Sequence, residues 1–263
     1  MDTQAQPPDL SLLRSEQDGV VTLTLNRPKQ TNALSMALLQ ALHAELDAIP
    51  GNISARVVVI AANGNAFCAG HDLKEMRAAN DQAFVTRLFQ LCSDMMIKIA
   101  KLPVPVIAEV NGMATAAGCQ LVAQCDLAVA ASNAKFAVSG VNLGLFCSTP
   151  AVPLSRAISR KRAAEMLMTG EFIDAATALD WGLVNRVVSP DALRAETLKL
   201  AATLKAKPRA VLALGKALFY RQLEMGIEAA YQDASSTIAC NFMQADAQEG
   251  VAAFLEKRAP NWK

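Results

Sequence analysis

The sequence lacks the long apolar runs and sorting segments that mark membrane and secreted proteins. Among its 263 residues, no apolar run reaches the roughly 20 residues that a membrane-spanning helix needs. The first 19 residues are polar. They carry neither the basic and apolar regions of a secretory signal nor the many arginines of a transit peptide. We therefore expect a cytoplasmic protein that does not act at a membrane.

Histidine is scarce, and the cysteines are not spaced as metal-binding pairs. The chain has 2 histidines and 6 cysteines, without any Cys-x-x-Cys spacing, so a zinc site is not expected. Disulfide frameworks are typical of small secreted domains. We expect reduced thiols and no metal site. The residues concerned are His43, His71, Cys68, Cys92, Cys119, Cys125, Cys147 and Cys240.

An excess of charge of one sign is also missing. The 25 basic and 24 acidic residues give a net charge of +1, which predicts no binding surface for nucleic acid. Hydrophobic residues make up 52% of the chain and charged residues 19%. This composition and length are typical of a well-buried globular protein with one large core, or one domain plus an appendage.

Strand-like and helix-like segments alternate over the first half of the chain. Predicted strands are 19–26, 56–62, 103–110 and 126–131, and predicted helices are 35–48, 82–101 and 116–124. From about 150 the pattern is helical, at 150–158, 161–168, 174–180, 190–206, 208–222, 226–243 and 246–257, with a β-like segment at 183–188. The order favours an α/β core followed by a helical C-terminal layer.

Two segments that follow predicted strands are candidates for a ligand site. Residues 66–73 (AFCAGHDL) form a loop after a buried strand, and α/β proteins bind ligands at such loops. Residues 111–120 (NGMATAAGCQ) place small side chains where a helix begins, so a ligand could reach free backbone N–H groups there. Each segment alone could also be an ordinary connection or a close helix–strand contact.

Together with other motifs, these segments resemble the enoyl-CoA hydratase/isomerase (crotonase) superfamily. The resemblance covers about residues 15–260, and two segments, 112–122 and 144–150, narrow it to one branch. The ordered set is specific although each piece alone is not. The motifs are 26–34 (NRPKQTNAL), 66–76 (AFCAGHDLKEM), 105–112 (PVIAEVNG), 117–121 (AGCQL), 125–126 (CD), 143–144 (LG), 169–170 (TG), 175–176 (AA) and 181–184 (WGLV).

The resemblance implies an α/β fold, the crotonase (ClpP-like) spiral of ββα units with a helical C-terminal trimerisation region. We accordingly divide the chain into a spiral core at 1–200 and a helical oligomerisation region at 201–263. A homotrimer, or a dimer of trimers, is the implied assembly.

The resemblance also implies an acyl-CoA thioester as the ligand. His71, after the glycine of the Ala-Gly-x-Asp loop, and Ala117, before the Gly-Cys pair, would offer backbone N–H groups to the thioester carbonyl. Such fixed donors stabilise charge that develops on the oxygen. No cofactor is implied, since coenzyme A arrives with the substrate. Positions assigned to the coenzyme A moiety are Arg27, Ala33, Ala69, His71, Leu73, Ala117, Phe254 and Lys257.

Three positions depart from the family's pattern. Ala117 replaces the usual glycine, at little cost if its φ is permissive. Gln120 and Gly140 stand where hydratases of the family use two glutamates as acid and base around a water. Glutamine cannot titrate and glycine has no side chain, so ordinary hydratase activity should be weak or absent. Cys147 and Ser148 are candidate substitutes, as is the thiol at position 119.

Several other polar residues are expected to be structural. Asp72 should cap a turn, Glu109 should form a salt bridge from its strand, and Glu165 should pair with a basic residue earlier on its helix. The side chain of His71 is expected to be solvated rather than an acid or base.

Three functional hypotheses remain open from the sequence. The first is an acyl-CoA enzyme that uses the backbone donors in non-standard chemistry. The second is an acyl-CoA binder without turnover that modulates fatty-acid metabolism. The third is an oligomeric interaction scaffold. The loops that carry His71 and Ala117 keep the family's pattern, which favours the first two hypotheses over the third. The two missing glutamates favour the second hypothesis over a plain hydratase.

Overall fold

The structure, a computed structural model, describes residues 10–262. The strands are β1 Leu12–Gln17, β2 Val20–Leu25, β3 Val57–Ala62, β4 Ala66–Cys68, β5 Val106–Val110, β6 Met113–Thr115, β7 Leu127–Ala131, β8 Lys135–Ala137, β9 Ile173–Asp174 and β10 Arg186–Val188. The helices are α1 Met36–Ala48, α2 Leu73–Ala79, α3 Gln82–Lys101, α4 Ala117–Gln124, α5 Ser148–Ala157, α6 Arg160–Thr169, α7 Ala175–Trp181, α8 Leu193–Lys205, α9 Arg209–Gln222, α10 Ile227–Phe242 and α11 Ala245–Leu255. None of the helices in the described range is long and apolar enough to cross a bilayer.

The strands form one large and one small sheet. The large sheet has the order β1-β2-β3-β5-β7-β10 and is parallel except for the β1–β2 pair. The small sheet has the order β4-β6-β8-β9. Strands β3 and β5 each lead directly into a strand of the small sheet and then a helix, and β7 leads into β8. The predicted α/β spiral of ββα units is therefore confirmed.

The central strands read as unbroken apolar runs because both faces of the large sheet are covered. In β3, Val58 and Ile60 belong to the main core that α1, α3 and α4 share. Val57, Val59 and the other alternate residues face a second core, which is closed by Leu193 and further apolar residues of α8. A parallel sheet covered on both sides favours continuous Val, Ile and Ala rather than alternation.

The sequence patterns missed the short elements that shape the site. Strands β4, β6 and β8 have three residues each, which is too short for a period-2 pattern to show. Strand β1 was taken as part of a polar lead because it is an edge strand in which only Leu12 is buried. The strand predicted from residue 103 begins at Val106, after two prolines that cannot donate to the ladder.

The C-terminal helical region exposes many large apolar side chains. Helices α9 and α10 contain no fully buried residue. The assignment of 201–263 to oligomerisation stays a prediction, and its boundary falls inside α8, where Leu200 and Ala201 both pack on the sheet. The large apolar side chains that these helices expose include Phe219, Leu223, Ile227, Tyr231, Ile238, Phe242, Phe254 and Leu255.

A buried ion pair fastens α9 to the core. The Lys216 ammonium lies 2.6 Å from the Asp126 carboxylate, and the lysine side chain is 7% exposed. It also donates to the backbone carbonyls of Ile99 at 2.8 Å and Val104 at 3.0 Å. Tyr220, one turn later, donates to the other Asp126 oxygen at 2.8 Å. Because all three ammonium N–H groups have acceptors, this buried charge is fully compensated.

Replacing Lys216 with methionine should lower the free energy of unfolding by about 3–5 kcal/mol, because the Asp126 carboxylate would be left buried without its partner. Lys199→Met is the matched control, since Lys199 is 75% exposed and 3.9 Å from Glu196. That exposed pair should contribute about 0–1 kcal/mol. Urea unfolding at one protein concentration measures both values, and equal losses would contradict an anchoring role for Lys216.

Candidate active site

Two chain segments run side by side at the carboxyl ends of β2 and β3. The Leu34 amide donates to the Gly70 carbonyl at 2.8 Å, and the Asp72 amide donates to the Leu34 carbonyl at 3.1 Å. In this short parallel bridge the hydrogen bonds are formed by the Gly70 carbonyl and the Asp72 amide, which flank His71 in the chain. The His71 amide therefore points away from the pairing.

The neighbouring amides of the same loop are also committed. The Ala69 amide donates to the Thr31 carbonyl at 3.0 Å, and the Gly70 amide is directed at the Cys68 thiol. The His71 amide itself has no recorded acceptor in the described part of the chain. An amide that the fold leaves unpaired is available to a ligand.

Gly70 brings the His71 amide next to the start of α4. Its φ is +92°, and a Cβ there would lie 2.9 Å from the Ala116 Cβ and 3.3 Å from the Ala117 nitrogen. No other residue type would fit this backbone conformation and this spacing without displacement. The loop that carries the His71 amide thus lies against the first turn of α4, where the Ala117 amide is.

Helix α4 presents the second free amide at its first turn. Ala117 is the first helical residue, and its amide donates to no acceptor within residues 10–262. The helix dipole adds partial positive charge there. The backbone strain is at Ala116, which has φ +49° and ψ −117°. Positive φ does not occur at Ala117, so alanine is tolerated in place of glycine.

His71 is partly buried and both of its ring nitrogens are shielded from solvent, so the expectation that the side chain is solvated was wrong. Neither ring nitrogen has a hydrogen-bond partner in the described structure. The ring packs edge-on against Phe89, with centroids 4.8 Å apart and planes at 79°. Burial lowers the His71 pKa to about 4, and a smaller contribution from the Leu34 backbone opposes this shift. The imidazole is therefore neutral at pH 7.

Gln120 lies one turn beyond Ala117 on α4 and is 3% exposed. Its Oε1 atom has no hydrogen-bond partner among the described residues. An amide at this position can orient a water or a ligand, but it cannot exchange a proton.

The space beside Gly140, which the resemblance placed at a glutamate position, is filled by the chain itself. A Cβ on Gly140 would lie 2.5 Å from the Leu145 carbonyl oxygen and 2.7 Å from the Cys147 sulfur. The Gly140 amide donates to that sulfur at 3.3 Å, and the Leu145 amide donates to the Gly140 carbonyl at 2.9 Å. The 140–147 loop is packed around a glycine, and no longer side chain fits there.

The candidate substitutes show no sign of activation. Burial raises the pKa of the Cys147 thiol, with a smaller opposing contribution from the Gly140 amide, and burial raises that of Cys119 to about 12. Both are therefore protonated thiols at neutral pH. The Ser148 hydroxyl donates to the Phe146 carbonyl at 3.3 Å. No metal-ligating cluster occurs among residues 10–262.

Four predicted coenzyme A positions come together in the paired segments. Ala33, Ala69 and Leu73 lie on the two strands of the pairing or directly beside it. The Arg27 guanidinium donates to the Ala33 carbonyl and to the Asp72 carboxylate, the latter at 2.9 Å. Asp72 caps α2, as predicted. Burial opposes ionisation of Asp72, but the hydrogen bond from Arg27 and the α2 amides hold its pKa below the usual value.

The C-terminal tail holds α11 near the amino end of β3. The Trp262 ring rests against Gly250 in α11, and its indole donates to the Ala206 carbonyl at 3.1 Å. The carbonyls on both sides of Ala206 accept hydrogen bonds from Arg56, which directly precedes β3.

Phe254 and Lys257 are therefore not brought to the donor loops within one chain. Phe254 lies one turn beyond Gly250 and is 81% exposed. The donor loops lie at the carboxyl end of β3, a strand of 6 residues, which places them about 17 Å from its amino end.

An open cavity of about 620 Å³ lies beside Phe89, the ring that packs against His71. It runs between α2 and α3 and is closed on one side by the 140–147 loop. Its lining combines apolar and polar side chains: Leu73, Met76, Arg77, Asn80, Asp81, Gln82, Val85, Thr86, Phe89 and Leu145.

Two structural expectations had different outcomes. Glu109 does form a salt bridge, with its carboxylate 3.3 Å from the Arg194 guanidinium. The pairing of Glu165 with Arg160 or Lys161 was wrong, since no ion pair of Glu165 occurs in the described range; its backbone carbonyl accepts from Thr169 at 2.7 Å.

Sequence reasoning missed Asn32, Phe89 and Leu145 as parts of the site. Asn32 lay inside a quoted motif, but nothing local showed that its side chain is wholly buried. Phe89 and Leu145 carried no signal, because their roles depend on contacts between distant segments.

Comparisons with known proteins identify the family. The family model described as Enoyl-CoA hydratase/isomerase matches residues 15–263. The chain is 47% identical over 247 residues to the mouse protein named Enoyl-CoA hydratase domain-containing protein 3, mitochondrial, covering 94% of this chain and 82% of that protein. The branch suggested by residues 112–122 and 144–150 is thereby confirmed. Because this relative is named mitochondrial, it does not support a cytoplasmic location, which stays a prediction.

Two solved structures superpose closely on the chain. The crystal structure of an enoyl-CoA hydratase from Mycobacterium smegmatis has a TM-score of 0.94 and 59% identity, covering 96% of this chain and 99% of that one. Human enoyl coenzyme A hydratase domain-containing protein 3 has a TM-score of 0.93 and 45% identity, covering 96% and 100%.

The stability of the protein should fall between pH 7 and pH 5 because of His71. The His71 pKa is about 4 in the folded chain and about 6.5 in an unfolded one, so between these values only the unfolded chain binds the proton. Stability should therefore drop as the pH falls through this window, by about 2 kcal/mol between pH 7 and pH 5. Urea unfolding at the two pH values measures this loss.

His71→Leu should lack that part of the pH dependence. His43→Gln removes the other imidazole and is the matched control for loss of a histidine. Identical pH dependence in wild type and His71→Leu would contradict a buried, neutral ring.

Gly140→Ala should destabilise the protein by about 1–3 kcal/mol, the usual cost of forcing a methyl group into a filled space. The matched control is Gly215→Ala in α9, where an added Cβ meets nothing within 4 Å. That change should be stabilising by about 0.5–1 kcal/mol. If thermal unfolding shows Gly140→Ala to be as stable as wild type, the described packing of the 140–147 loop is incorrect.

Proposed function

This chain belongs to the enoyl-CoA hydratase/isomerase family, and from that premise we propose that it binds an acyl-CoA thioester through the backbone amides of His71 and Ala117. The observation that carries the proposal is the free pair itself. The two amides are neighbours, and neither has a protein acceptor in the described structure. Acyl-CoA metabolism is the proposed setting.

The two amides would act as an oxyanion hole. A thioester carbonyl oxygen gains negative charge when the carbon beside it loses a proton, or when a nucleophile adds to the carbonyl. Donors already fixed by the fold need no reorganisation to stabilise that charge. The α4 dipole acts in the same direction at Ala117.

The rest of the site favours binding without ordinary hydration. Gln120 cannot titrate, the space beside Gly140 is occupied, and the His71 imidazole has a pKa of about 4. Each positioned acid or base is worth about 10²–10⁴-fold in rate. We therefore expect slow hydration at most, and we propose reactions that need only carbonyl polarisation as the enzymatic alternative.

A non-catalytic acyl-CoA binder that modulates lipid metabolism is the second candidate. It is favoured by the 140–147 loop, where the Leu145 carbonyl and the Cys147 sulfur occupy the room that an acid–base side chain would need. A site that had merely lost a carboxylate would retain this space.

We propose that the coenzyme A moiety lies along the paired segments near Arg27 and Ala69, and that a second copy of the chain completes its site. Phe254 and Lys257 belong to that second copy, because their own helix ends far from the donor loops. A homotrimer or a dimer of trimers, built through the exposed apolar faces of α9 and α10, would supply them.

The test is calorimetric titration with acetyl-CoA, together with crotonyl-CoA hydration followed by loss of the enoyl-thioester absorbance. Wild type should bind acetyl-CoA and hydrate crotonyl-CoA slowly. Gln120→Glu should raise hydration toward the ~10²–10⁴-fold that one acid–base group contributes. Gln124→Glu, on the same helix but one turn further from the donors, is the matched control and should have no effect.

Absence of binding would overturn the proposal and leave the scaffold hypothesis. Rapid hydration by wild type would overturn the expectation that Gln120, Gly140 and His71 supply no acid–base pair. Glutamate at position 140 is not a useful test, since its first carbon would overlap the Leu145 carbonyl.

A further inference from the structure

We propose that Asn32 is a positioning residue that aims the His71 amide at the thioester carbonyl. This inference rests on the proposed function of the amide pair. Asn32 belongs to the 26–34 motif, yet it is wholly buried and is not itself a donor to the ligand.

The Asn32 side chain joins three separate segments. Its Nδ2 group donates to the Asn63 carbonyl at 2.9 Å and to the Ala66 carbonyl at 2.8 Å. Its Oδ1 atom accepts from the Arg27 amide at 2.8 Å. Both side-chain donors and the acceptor are therefore in use.

The segment that Asn32 holds is unfavourable without such support. Thr31 and Asn32 have φ values of +49° and +54°, two consecutive non-glycine residues in the left-handed region. Each costs on the order of 1 kcal/mol or more. The Asn32 hydrogen bonds offset this cost and fix the course of the chain.

That course decides where the His71 amide points. Thr31 and Leu34, on either side of Asn32, hold residues 69–72 through three backbone hydrogen bonds. Ala66, which Asn32 also binds, begins β4, the strand from which the donor loop emerges. Asn32 therefore fixes both the segment 31–34, with which residues 69–72 pair, and the start of β4, which leads into the loop that carries His71.

Further asparagine amides extend this support to neighbouring strand ends. The Asn63 side chain donates to the Asn26 side chain at 2.9 Å. The Asn111 side chain donates to the carbonyls of Ala62 and Gly64 at 3.0 and 2.7 Å. These bonds join the carboxyl ends of β2, β3 and β5, so loss of Asn32 should affect the loops more than the sheet.

The test is the infrared carbonyl stretch of bound acetyl-CoA labelled with ¹³C at the thioester carbonyl. Wild type should lower the stretching frequency relative to free ligand. In Asn32→Ala most of that lowering of the frequency should disappear, because a displacement of about 1 Å removes most of the benefit of an aligned donor. The Kd should rise by about tenfold or less, the loss expected for one neutral hydrogen bond.

Asn52→Ala is the matched control. The Asn52 side chain donates to Glu16 at 3.0 Å and accepts from the Ser54 amide and hydroxyl at 3.0 and 2.6 Å. It is an equally bonded asparagine in a loop at the other end of β3. Its loss should leave the carbonyl shift unchanged.

Asn32→Asp is the second variant, in case the alanine form does not fold. It keeps the size and the left-handed preference of the side chain, and it loses donors to the Asn63 and Ala66 carbonyls. A wild-type shift in either folded variant would overturn the role of Asn32. A wild type that binds without any shift would instead overturn the amide pair, and a wild type that does not bind would overturn the proposed function.

Discussion

The close approach of the β4–α2 loop to the first turn of α4 is the constraint on which the site depends. A Cβ on Gly70 would lie 2.9 Å from the Ala116 Cβ and 3.3 Å from the Ala117 nitrogen. A Cβ on Gly118 would overlap the Cys68 carbonyl. Two backbones can meet this closely only where side chains are absent. The contact sets the unpaired amides of two distant segments side by side.

This arrangement requires backbone conformations that are unfavourable locally. Ala116, Thr31 and Asn32 all have positive φ without being glycine. Such conformations persist when surrounding contacts over-determine them, and they are concentrated at functional sites. Here buried hydrogen bonds at Asn32 and the β-sheet contact of the Ala116 amide with Ala137 provide that support. The segments that lead to the two unpaired amides are therefore held by the surrounding structure.

The 140–147 loop is packed closely around Gly140. Because residue 140 is glycine, the Leu145 carbonyl and the Cys147 sulfur move into the space beside it. Gln120 contributes an amide, His71 an imidazole whose pKa burial lowers to about 4, and the Arg27–Asp72 ion pair lies directly after His71. Under the proposed function, Gln120 and Gly140 would act together to limit proton transfer.

The sequence by itself determined the α/β class, the family, the long helices and the buried parallel strands, because these depend on apolar periodicity and on motifs that lie within single segments. Tertiary structure decided the small sheet, the partial burial of His71, the packing of Leu145 and Cys147 against Gly140, and the side-chain hydrogen bonds of Asn32. Strands of three residues carry no period, and the pairing of Leu34 with Gly70 and Asp72 joins positions far apart in the chain. The direction of an amide, and the room beside a glycine, are set by such non-local contacts, which no local pattern records.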